Sequence, residues 1–395
     1  MSVKVVKFLL TDILFDSRDK REVALLRELG HEVIVLCSGD VSETIITEEG
    51  VTIKRIKKLE VTRQQHRIIR VFKIIKRYLF FRRILKSLKA DCLSCHDITA
   101  LFIGWVSTWG LSVTGRPRLV YDSHEYEAGL NSARSRISVW MTIYLEGFLV
   151  KRTAFNMMVN NTIADEVQKL HKLRERPVVI RNLPYHLEID ETVCMERRRE
   201  LLASMNIDSG SQIFLLMYHG GLQRDRGIEN LIKIVAEMTN VAAVILGNGE
   251  ATYLNSLHDL VDEEQVSDRV LFQASVPVGI LWQYVGAADA GLCILLNTCK
   301  NHFYALPNKL SENIQSETPV IGSNFPEIKR IIEGYNVGLI CDPDDISDLI
   351  AAVEEMRSNK KQYKKFKMNL KKAKNDLCWE KEKQVLIEAY GSITD

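Results

Sequence analysis

The feature that most constrains the fold is the repeated alternation of short apolar segments with helical ones along the whole chain. In the first half, apolar runs of strand length lie at 3–10, 31–37, 91–95, 117–121 and 156–160. A helix over Asp16–Leu29 follows the first run, and helical segments separate the others. Strands that alternate with helices are typical of βαβ units with a parallel sheet. The first half therefore predicts an α/β domain.

A second series of the same kind begins after 181–190, a segment typical of a linker. Its apolar runs lie at 213–218, 241–246, 270–272, 291–296, 318–321 and 337–341, again with helices between them. A chain of 395 residues is long for one core and suits two domains. We predict one domain over 1–185 and another over 186–375, both doubly wound, with a cleft between their sheets.

The segment from Tyr304 to Gly322 carries the clearest ligand-binding pattern. Pro307 suits the first turn of a helix, and Asn308 is a good capping residue. The N–H groups at that helix end favour an anion such as a diphosphate, and Lys309 adds a full charge. Glu312, one turn further on, can accept hydrogen bonds from ribose hydroxyls. The alternative is a capped helix with a solvated lysine and glutamate.

A second phosphate-binding candidate is the loop His219–Gly227, which joins a predicted strand to a helix. Gly220 and Gly221 let the backbone approach a ligand closely, and an arginine can bind phosphate through two hydrogen bonds. The loop lacks the G-x-x-x-x-G-K-[ST] pattern of P-loop ATPases. The alternative is a glycine-rich turn that only connects the two elements.

The order of these motifs resembles the retaining glycosyltransferases of family 4, over essentially the whole chain and more specifically in its second half. The resemblance implies the GT-B fold, in which two Rossmann-like doubly wound domains face a central cleft. Arg226 resembles the family's diphosphate-binding lysine, whereas Gly221 stands where an arginine is often found. The turn at 247–250 and the strand at 270–276 are similar to segments of the same site. The helix at 376–395 resembles the one that crosses back to the N-terminal domain.

The family's paired glutamates are eight positions apart, and here only the second, Glu312, is present. Tyr304 occupies the place of the first, a variant that leaves the usual donor-sugar contact open. The segment at 121–127 resembles the one that carries the family's active-site histidine, here His124, and His96 ends another strand at the same edge. The resemblance thus implies His124, Arg226 and Lys309 as catalytic residues. It implies these donor-binding residues: Gly220, Gly221, Arg226, Tyr304, Asn308, Lys309, Leu310 and Glu312.

The resemblance implies transfer of a sugar from a UDP-sugar or GDP-sugar to an acceptor hydroxyl, with retention and without a cofactor or a metal. The transfer would serve the synthesis of a cell-surface glycan or a lipid-linked polysaccharide. The basic segment 61–90 suggests a lipid-linked glycan on a membrane surface as the acceptor, whereas a polysaccharide or a small soluble acceptor would leave the same motifs in place. Two other functions stay open. One is a nucleotide-sugar epimerase, which would need acid/base carboxylates such as Glu125 and Glu327. The other is a membrane-associated partner subunit without activity that keeps a vestigial nucleotide pocket, an idea suggested by Tyr304.

The segment 61–90 contains ten Lys or Arg residues and no Asp or Glu. Apolar residues interleave with the basic ones at roughly helical intervals, which is typical of a helix that lies on a membrane surface. The alternative is a helix packed on its own sheet with a solvated basic face. Nucleic acid is not expected as a partner, because no recognised nucleic-acid-binding motif accompanies the charge.

The N-terminal apolar run is too short for a membrane span, and Asp12 interrupts a signal-peptide core. Eight scattered cysteines agree with a reducing compartment, so we expect a cytoplasmic protein, peripheral on the inner face of the membrane if the basic segment binds there. Cys92, Cys95 and His96 spell the attachment pattern of a c-type haem. A buried strand is the better interpretation, because no export signal is present.

Overall fold

The structure, a computed structural model, describes residues 2–58, 67–130 and 135–394. The chain forms two compact units: unit 1 comprises Met1–Arg181 and Lys383–Asp395, and unit 2 comprises Asn182–Glu382. Each unit contains a sheet of mainly parallel strands between helices. The predicted α/β fold with two Rossmann-like halves is confirmed. None of the described helices is long and apolar enough to cross a bilayer.

The described part of unit 1 contains an eight-stranded sheet in the order β3-β4-β2-β1-β5-β6-β7-β8. Its strands are β1 (Lys4–Phe8), β2 (Glu32–Gly39), β3 (Glu43–Ile46), β4 (Thr52–Lys57), β5 (Cys92–His96), β6 (Arg118–Ser123), β7 (Phe155–Met158) and β8 (Val178–Val179). All neighbours are parallel except β3 and β4, which form an antiparallel edge. The central strands are buried because helices cover both faces.

Before the linker, the described ranges of unit 1 contain five α-helices: α1 (Ser17–Glu28), α2 (Arg67–Leu88), α3 (Asp97–Ser107), α4 (Arg136–Leu149) and α5 (Asn161–His171). The connections from β4 to β5, β5 to β6 and β6 to β7 all run in one direction across the sheet. Right-handed crossovers therefore place α2, α3 and α4 on the same face. In agreement, α2 packs on α3 and α3 packs on α4. Helix α1, which runs in the opposite direction, lies on the other face.

Unit 2 contains a parallel six-stranded sheet in the order β11-β10-β9-β12-β13-β14. The strands are β9 (Phe214–His219), β10 (Val241–Leu246), β11 (Val270–Gln273), β12 (Ala290–Cys293), β13 (Val320–Ser323) and β14 (Gly338–Cys341). The helices are α6 (Glu191–Ser204), α7 (Ile228–Glu237), α8 (Ala251–Glu263), α9 (Val278–Val285), α10 (Lys300–Tyr304), α11 (Asn308–Gln315), α12 (Pro326–Tyr335), α13 (Ile346–Ser358) and α14 (Lys360–Asp376). The final helix, α15 (Trp379–Thr394), belongs to unit 1 from Lys383 onward.

A buried ion-pair cluster joins β1, β6 and α1 in unit 1. The ammonium of Lys7 lies 3.0 Å from Asp19, 2.7 Å from Asp122 and in contact with Glu22. Arg18 adds a 2.6 Å bond to Asp122. Burial alone would lower the pKa of Lys7, but the three carboxylates raise it well above its ordinary value. The Tyr390 hydroxyl of α15 donates to Glu22, so the C-terminal helix is tied to the same cluster.

We expect Lys7→Met to lower the free energy of unfolding of unit 1 by about 3–5 kcal/mol, because three buried carboxylates lose their shared cation. Lys4 on the same strand is a matched control. It forms a partly exposed pair with Glu32, so Lys4→Met should cost about 0–1 kcal/mol. Urea unfolding of the two variants measures the difference, and equal losses would show that the cluster is not what holds this unit together.

Candidate functional site

The candidate site of unit 2 lies where the strand order reverses. From β9 the chain continues outward to β10 and β11, and it returns to β12 on the other side of β9. Ligands of open α/β sheets bind outside the carboxyl ends of the strands at such a point. The loop 220–227 follows β9, and the segment that leads to α11 follows β12. The Leu296 N–H donates to the Asp225 carbonyl at 3.0 Å, which ties the two segments together.

The glycine loop has a fixed and open backbone. Gly220 has a φ of 121°, and no atom lies within 4 Å of the place where its side chain would begin. A Cβ on Gly247 would lie only 1.9 Å from the Gly220 carbonyl oxygen, so glycine is required there for the two turns to meet. The Tyr218 hydroxyl donates to the Gly221 carbonyl at 2.8 Å. A ligand can therefore reach the backbone at Gly220.

The two arginines of this loop lie in different surroundings. The Arg224 guanidinium is 5.3 Å from the centre of the Tyr253 ring, on the α8 side of the loop. Arg226 is half-buried, and its charge lowers the pKa of Lys309. Of the two, Arg226 is thus the one whose charge acts at the start of α11. Its role as a phosphate ligand stays a prediction.

The start of α11 differs by one residue from the expected one. Pro307, with φ −68° and ψ 139°, is the N-cap, and Asn308 is the first helical residue. The extended ψ of Pro307 places the helix start after the proline ring, so the prediction that Asn308 caps the helix is wrong. The Asn308 side chain is exposed. The first N–H groups of a helix have no partner within the helix and stay available to an anion.

Lys309 is the most unusual group in this site. Its side chain is buried, and no described residue accepts a hydrogen bond from its ammonium. The nitrogen lies 3.8 Å from the centre of the Tyr218 ring, a cation–π contact that only partly replaces hydration. Burial, reinforced by Arg226 and opposed by Cys293 and Glu312, lowers the pKa of Lys309 to about 8. A buried cation without a hydrogen-bond acceptor is costly unless a ligand supplies the acceptor.

Glu312 is held in place by a residue that the sequence analysis did not single out. The His219 Nε2, at the end of β9, lies 3.0 Å from the Glu312 Oε2. His219 is buried and its Nδ1 has no partner among the described residues. The Glu312 carboxylate is partly exposed, so its remaining acceptor positions can receive hydroxyl hydrogens. His219 is therefore a positioning residue for Glu312.

Two other predicted donor contacts lie near α11. Leu310 is buried in the apolar core with Ile314, and its N–H already bonds to the Pro307 carbonyl. The structure therefore gives Leu310 a role in packing, and its contact with a donor stays a prediction. Tyr304 ends α10 and is half-buried, with its ring 5.6 Å from that of Phe303. Its contact with a donor sugar stays a prediction.

In unit 1, His96 and His124 lie at the carboxyl ends of neighbouring strands, as expected. Their rings stack at 3.7 Å. The His124 Nε2 is 3.4 Å from Asp122, and its backbone N–H donates to Asp97 at 3.3 Å. Burial would lower the pKa of His96, but hydrogen bonds to Asp19 and Asp97 raise it to about 10. These carboxylates therefore favour the charged form of His96, whose ring packs on the partly exposed ring of His124.

This histidine pair borders the Lys7 cluster. Within the described part of the chain, ligand-type atoms of Asp16, Asp19, His96 and His124 lie within 4.8 Å of one another. Asp19 already pairs with Lys7 and with His96. The arrangement is accounted for by ion pairs among the side chains present, and the absence of a metal stays a prediction.

The C-x-x-C-H pattern lies on β5, in the interior of the sheet. Cys92 and Cys95 are free and buried, and burial raises the pKa of Cys92 to about 12. Their side chains pack inside the unit, where a covalently attached haem has no room. The pattern is that of a buried strand.

Two models of known protein families match the chain. The family model described as Glycosyl transferases group 1 matches residues 199–373, and the model described as Glycosyltransferase Family 4 matches residues 22–183. No curated protein matches the sequence.

Three solved structures illustrate the shared fold. Sucrose-phosphate synthase from Thermosynechococcus elongatus superposes with a TM-score of 0.77 at 14% identity, with 99% of each chain covered. HepE from Anabaena, in complex with UDP and glucose, superposes with a TM-score of 0.70 at 13% identity. The match covers 99% of this chain and 100% of that chain. A UDP-forming α,α-trehalose-phosphate synthase from Burkholderia xenovorans superposes with a TM-score of 0.71 at 11% identity, with 100% of each chain covered.

We expect Lys309→Met to stabilise the protein at pH 7 by about 2–3 kcal/mol, because it removes a buried charge. The lowered pKa means that the folded chain binds fewer protons than the unfolded chain between pH 8 and about 10.4. The free-energy cost of burying the charged Lys309 is thus at its full value below pH 8, and it disappears as the pH rises to about 10. Thermal unfolding at several pH values measures this, with Lys329→Met at an exposed position of α12 as control. Destabilisation by Lys309→Met at pH 7 would contradict the assignment.

The His219–Glu312 contact can be tested by a double-mutant cycle on UDP binding. Each of the variants His219→Phe and Glu312→Ala should weaken binding about fivefold to thirtyfold, and the double variant should bind no worse than Glu312→Ala. His186→Ala in the same unit is the control. Additive losses would show that His219 contributes only to the general stability of the unit.

Proposed function

We propose that this chain, which belongs to the family 4 glycosyltransferases of the GT-B fold, transfers a sugar from a UDP-sugar to an acceptor hydroxyl with retention at the anomeric carbon. One observation carries the proposal. The buried ammonium of Lys309 lies at the strand-order reversal, at the start of a helix and within the electrostatic reach of Arg226, and no residue in the described part of the chain accepts a hydrogen bond from it. A diphosphate supplies acceptors and negative charge at that place.

The same groups would act in catalysis. As the bond between the anomeric carbon and the diphosphate oxygen breaks, the electron pair stays on the diphosphate. Lys309, Arg226 and the N–H groups of α11 stabilise this growing charge without reorganisation, since they are fixed by the fold. The acceptor oxygen bonds to the anomeric carbon on the same face, and its proton passes to a diphosphate oxygen. Because side chains provide the positive charge, we propose that no metal is needed.

The remaining groups would position the substrates. Glu312, oriented by His219, accepts hydrogen bonds from the ribose hydroxyls. In unit 1, His124 is held between His96 and Asp122 and offers a polar edge to a hydroxyl. UDP is favoured over GDP because HepE is described in complex with UDP, and the trehalose-phosphate synthase is described as UDP-forming.

Two other functions make different demands. An epimerase would need acid/base carboxylates, but Glu327 is buried and paired with Arg330 at 2.8 Å. A partner subunit without activity would bind the nucleotide and turn over no donor. The product of the reaction therefore distinguishes all three functions.

We expect UDP to bind with micromolar affinity in a calorimetric titration, and GDP and ADP to bind more weakly. Lys309→Ala and Arg226→Ala should each weaken UDP binding at least thirtyfold, because each removes a cation from a phosphate. Lys329→Ala is the matched control. No binding of any nucleotide would refute the donor site.

Turnover is then measured with UDP-sugars in the presence of EDTA. Release of UDP that is lost in Lys309→Ala supports the transferase, and nuclear magnetic resonance of the product reports retention or inversion. Conversion of the donor into an isomeric UDP-sugar would identify an epimerase. UDP binding without turnover of any donor would identify a partner subunit.

We further propose that the acceptor is a lipid-linked glycan on the inner face of a membrane, reached by α2. The C-terminal part of α2 packs on the sheet, with Phe81 5.2 Å from Phe8. Its earlier turns expose large apolar side chains: Ile69, Val71, Phe72, Ile74, Ile75, Leu79 and Phe80. Arg77, Arg82 and Lys86 donate to backbone carbonyls of unit 1, whereas Lys76 and Arg83 are exposed. Arg63, the one Lys or Arg residue of 61–66, lies outside the described residues.

Exposed apolar and basic side chains on one helix suit an anionic lipid surface. We expect Phe72→Asp to weaken binding to phosphatidylglycerol vesicles about tenfold or more, since the variant lacks the phenyl ring that would enter the bilayer. Val113→Asp, at another exposed apolar position of unit 1, is the control. Co-sedimentation measures the effect. Equal binding to phosphatidylcholine vesicles, or no loss in Phe72→Asp, would contradict a membrane contact through α2.

A further inference from the structure

Unit 1 contains a second concave site, between α3 and α4. Its volume is about 1020 Å³, which is at the upper end of the range for small-molecule sites. The cavity begins at Leu10 and Thr11 after β1, passes His96 and Asp97, and continues along α4. One end therefore lies beside the ring of His124, which stacks on His96.

The long wall of this cavity is apolar. Phe102 and Ile98 of α3 line one side, and Leu145 and Met141 of α4 line the other. The α4 wall also carries large side chains that are mostly exposed: Ile137 at 72%, Trp140 at 64%, Met141 at 60% and Tyr144 at 67%. A single exposed apolar residue is ordinary, but a continuous row of them along a cavity marks a binding surface.

The two ends of the cavity differ in chemistry. At the strand end, Asp97 and Glu127 provide carboxylates, which accept hydrogen bonds from hydroxyl groups. No lysine or arginine lines the cavity among the described residues, so it does not suit a phosphate or an acidic peptide. A ligand that fits has hydroxyls at one end and a hydrocarbon chain at the other.

The position of the cavity indicates where such a ligand comes from. Helices α2, α3 and α4 lie on one face of the sheet and pack in that order. The apolar and basic surface of α2 is therefore part of the same helical layer as the apolar wall of α4. A chain that leaves a bilayer next to α2 is therefore on the same helical layer as the cavity.

We infer that this cavity binds the hydrocarbon chain of a glycolipid acceptor and places the hydroxyls of its sugar beside Asp97 and His124. The inference rests on the proposed function, since it assigns a place in unit 1 to the acceptor of that reaction. Trp140 and Tyr144, stacked on each other at 5.6 Å, form the outer edge of the chain-binding wall. Met141 faces the chain between them and α3.

Binding of n-alkyl glucosides to the full-length protein tests the inference. Each methylene that becomes buried should tighten binding up to about fourfold, so affinity should rise at least tenfold from hexyl to decyl glucoside. Met141→Glu should remove this dependence on chain length. Met368→Glu, at an exposed methionine of α14 in unit 2, is the matched control and should not change it.

UDP binding is measured on the same samples, because it depends on unit 2. If UDP fails to bind, the proposed function fails. If UDP binds but the affinity for glucosides is independent of chain length, this inference alone is overturned. If unbranched glucose oligomers bind as tightly as decyl glucoside and this binding is lost in Met141→Glu, the cavity is an aromatic site for glycans instead, and the inference is overturned. A dimer in sedimentation that dissociates in Met141→Glu would assign the wall to a second copy and would also overturn the inference.

Discussion

The candidate site depends on the ammonium of Lys309, which is buried against the Tyr218 ring and has no hydrogen-bond acceptor among the residues that the structure describes. Lys7 in unit 1 is a useful contrast, because it is also buried but contacts three carboxylates. The Lys7 arrangement stabilises the fold of its unit, whereas Lys309 is a buried charge for which no described residue accepts a hydrogen bond. At neutral pH a fold that retains such a group has a stability cost that a bound anion removes.

The surroundings of Lys309 follow from the topology of unit 2. Tyr218 and His219 end β9, and α11 begins beyond β12, on the neighbouring side of the strand-order reversal. This brings a cation, a helix N-terminus and an oriented carboxylate to one edge of the sheet. The glycines at 220 and 247 keep the backbone open there. In the proposed function, residues that are fixed in the free protein bind the phosphate and the ribose and stabilise the charge of the leaving group. Such fixed groups are the condition for electrostatic catalysis.

The sequence predicted the central strands well, because strands buried on both faces are continuous apolar runs. It did not reveal β3 and β4, since an exposed edge strand such as Glu43–Ile46 has no such run. The lysine in β1 was also hidden within an apolar segment. In the site, charge and helix position pointed to Lys309 and Glu312. The partnership of His219 with Glu312 joins residues 93 positions apart and leaves no local pattern. The start of α11 was misplaced by one residue, because both proline and asparagine favour helix N-termini.

Proton uptake on UDP binding tests the central claim most directly. Calorimetric titrations at pH 8.5 in buffers of different ionisation enthalpy give the number of protons taken up for each UDP bound. With a pKa of about 8 in the free protein, Lys309 is mostly neutral at this pH, and a diphosphate beside it restores its charge. The account predicts uptake of about three quarters of a proton for each UDP. Binding heats that are independent of the buffer would show that UDP does not pair with a titrating lysine, and would contradict the assignment of Lys309.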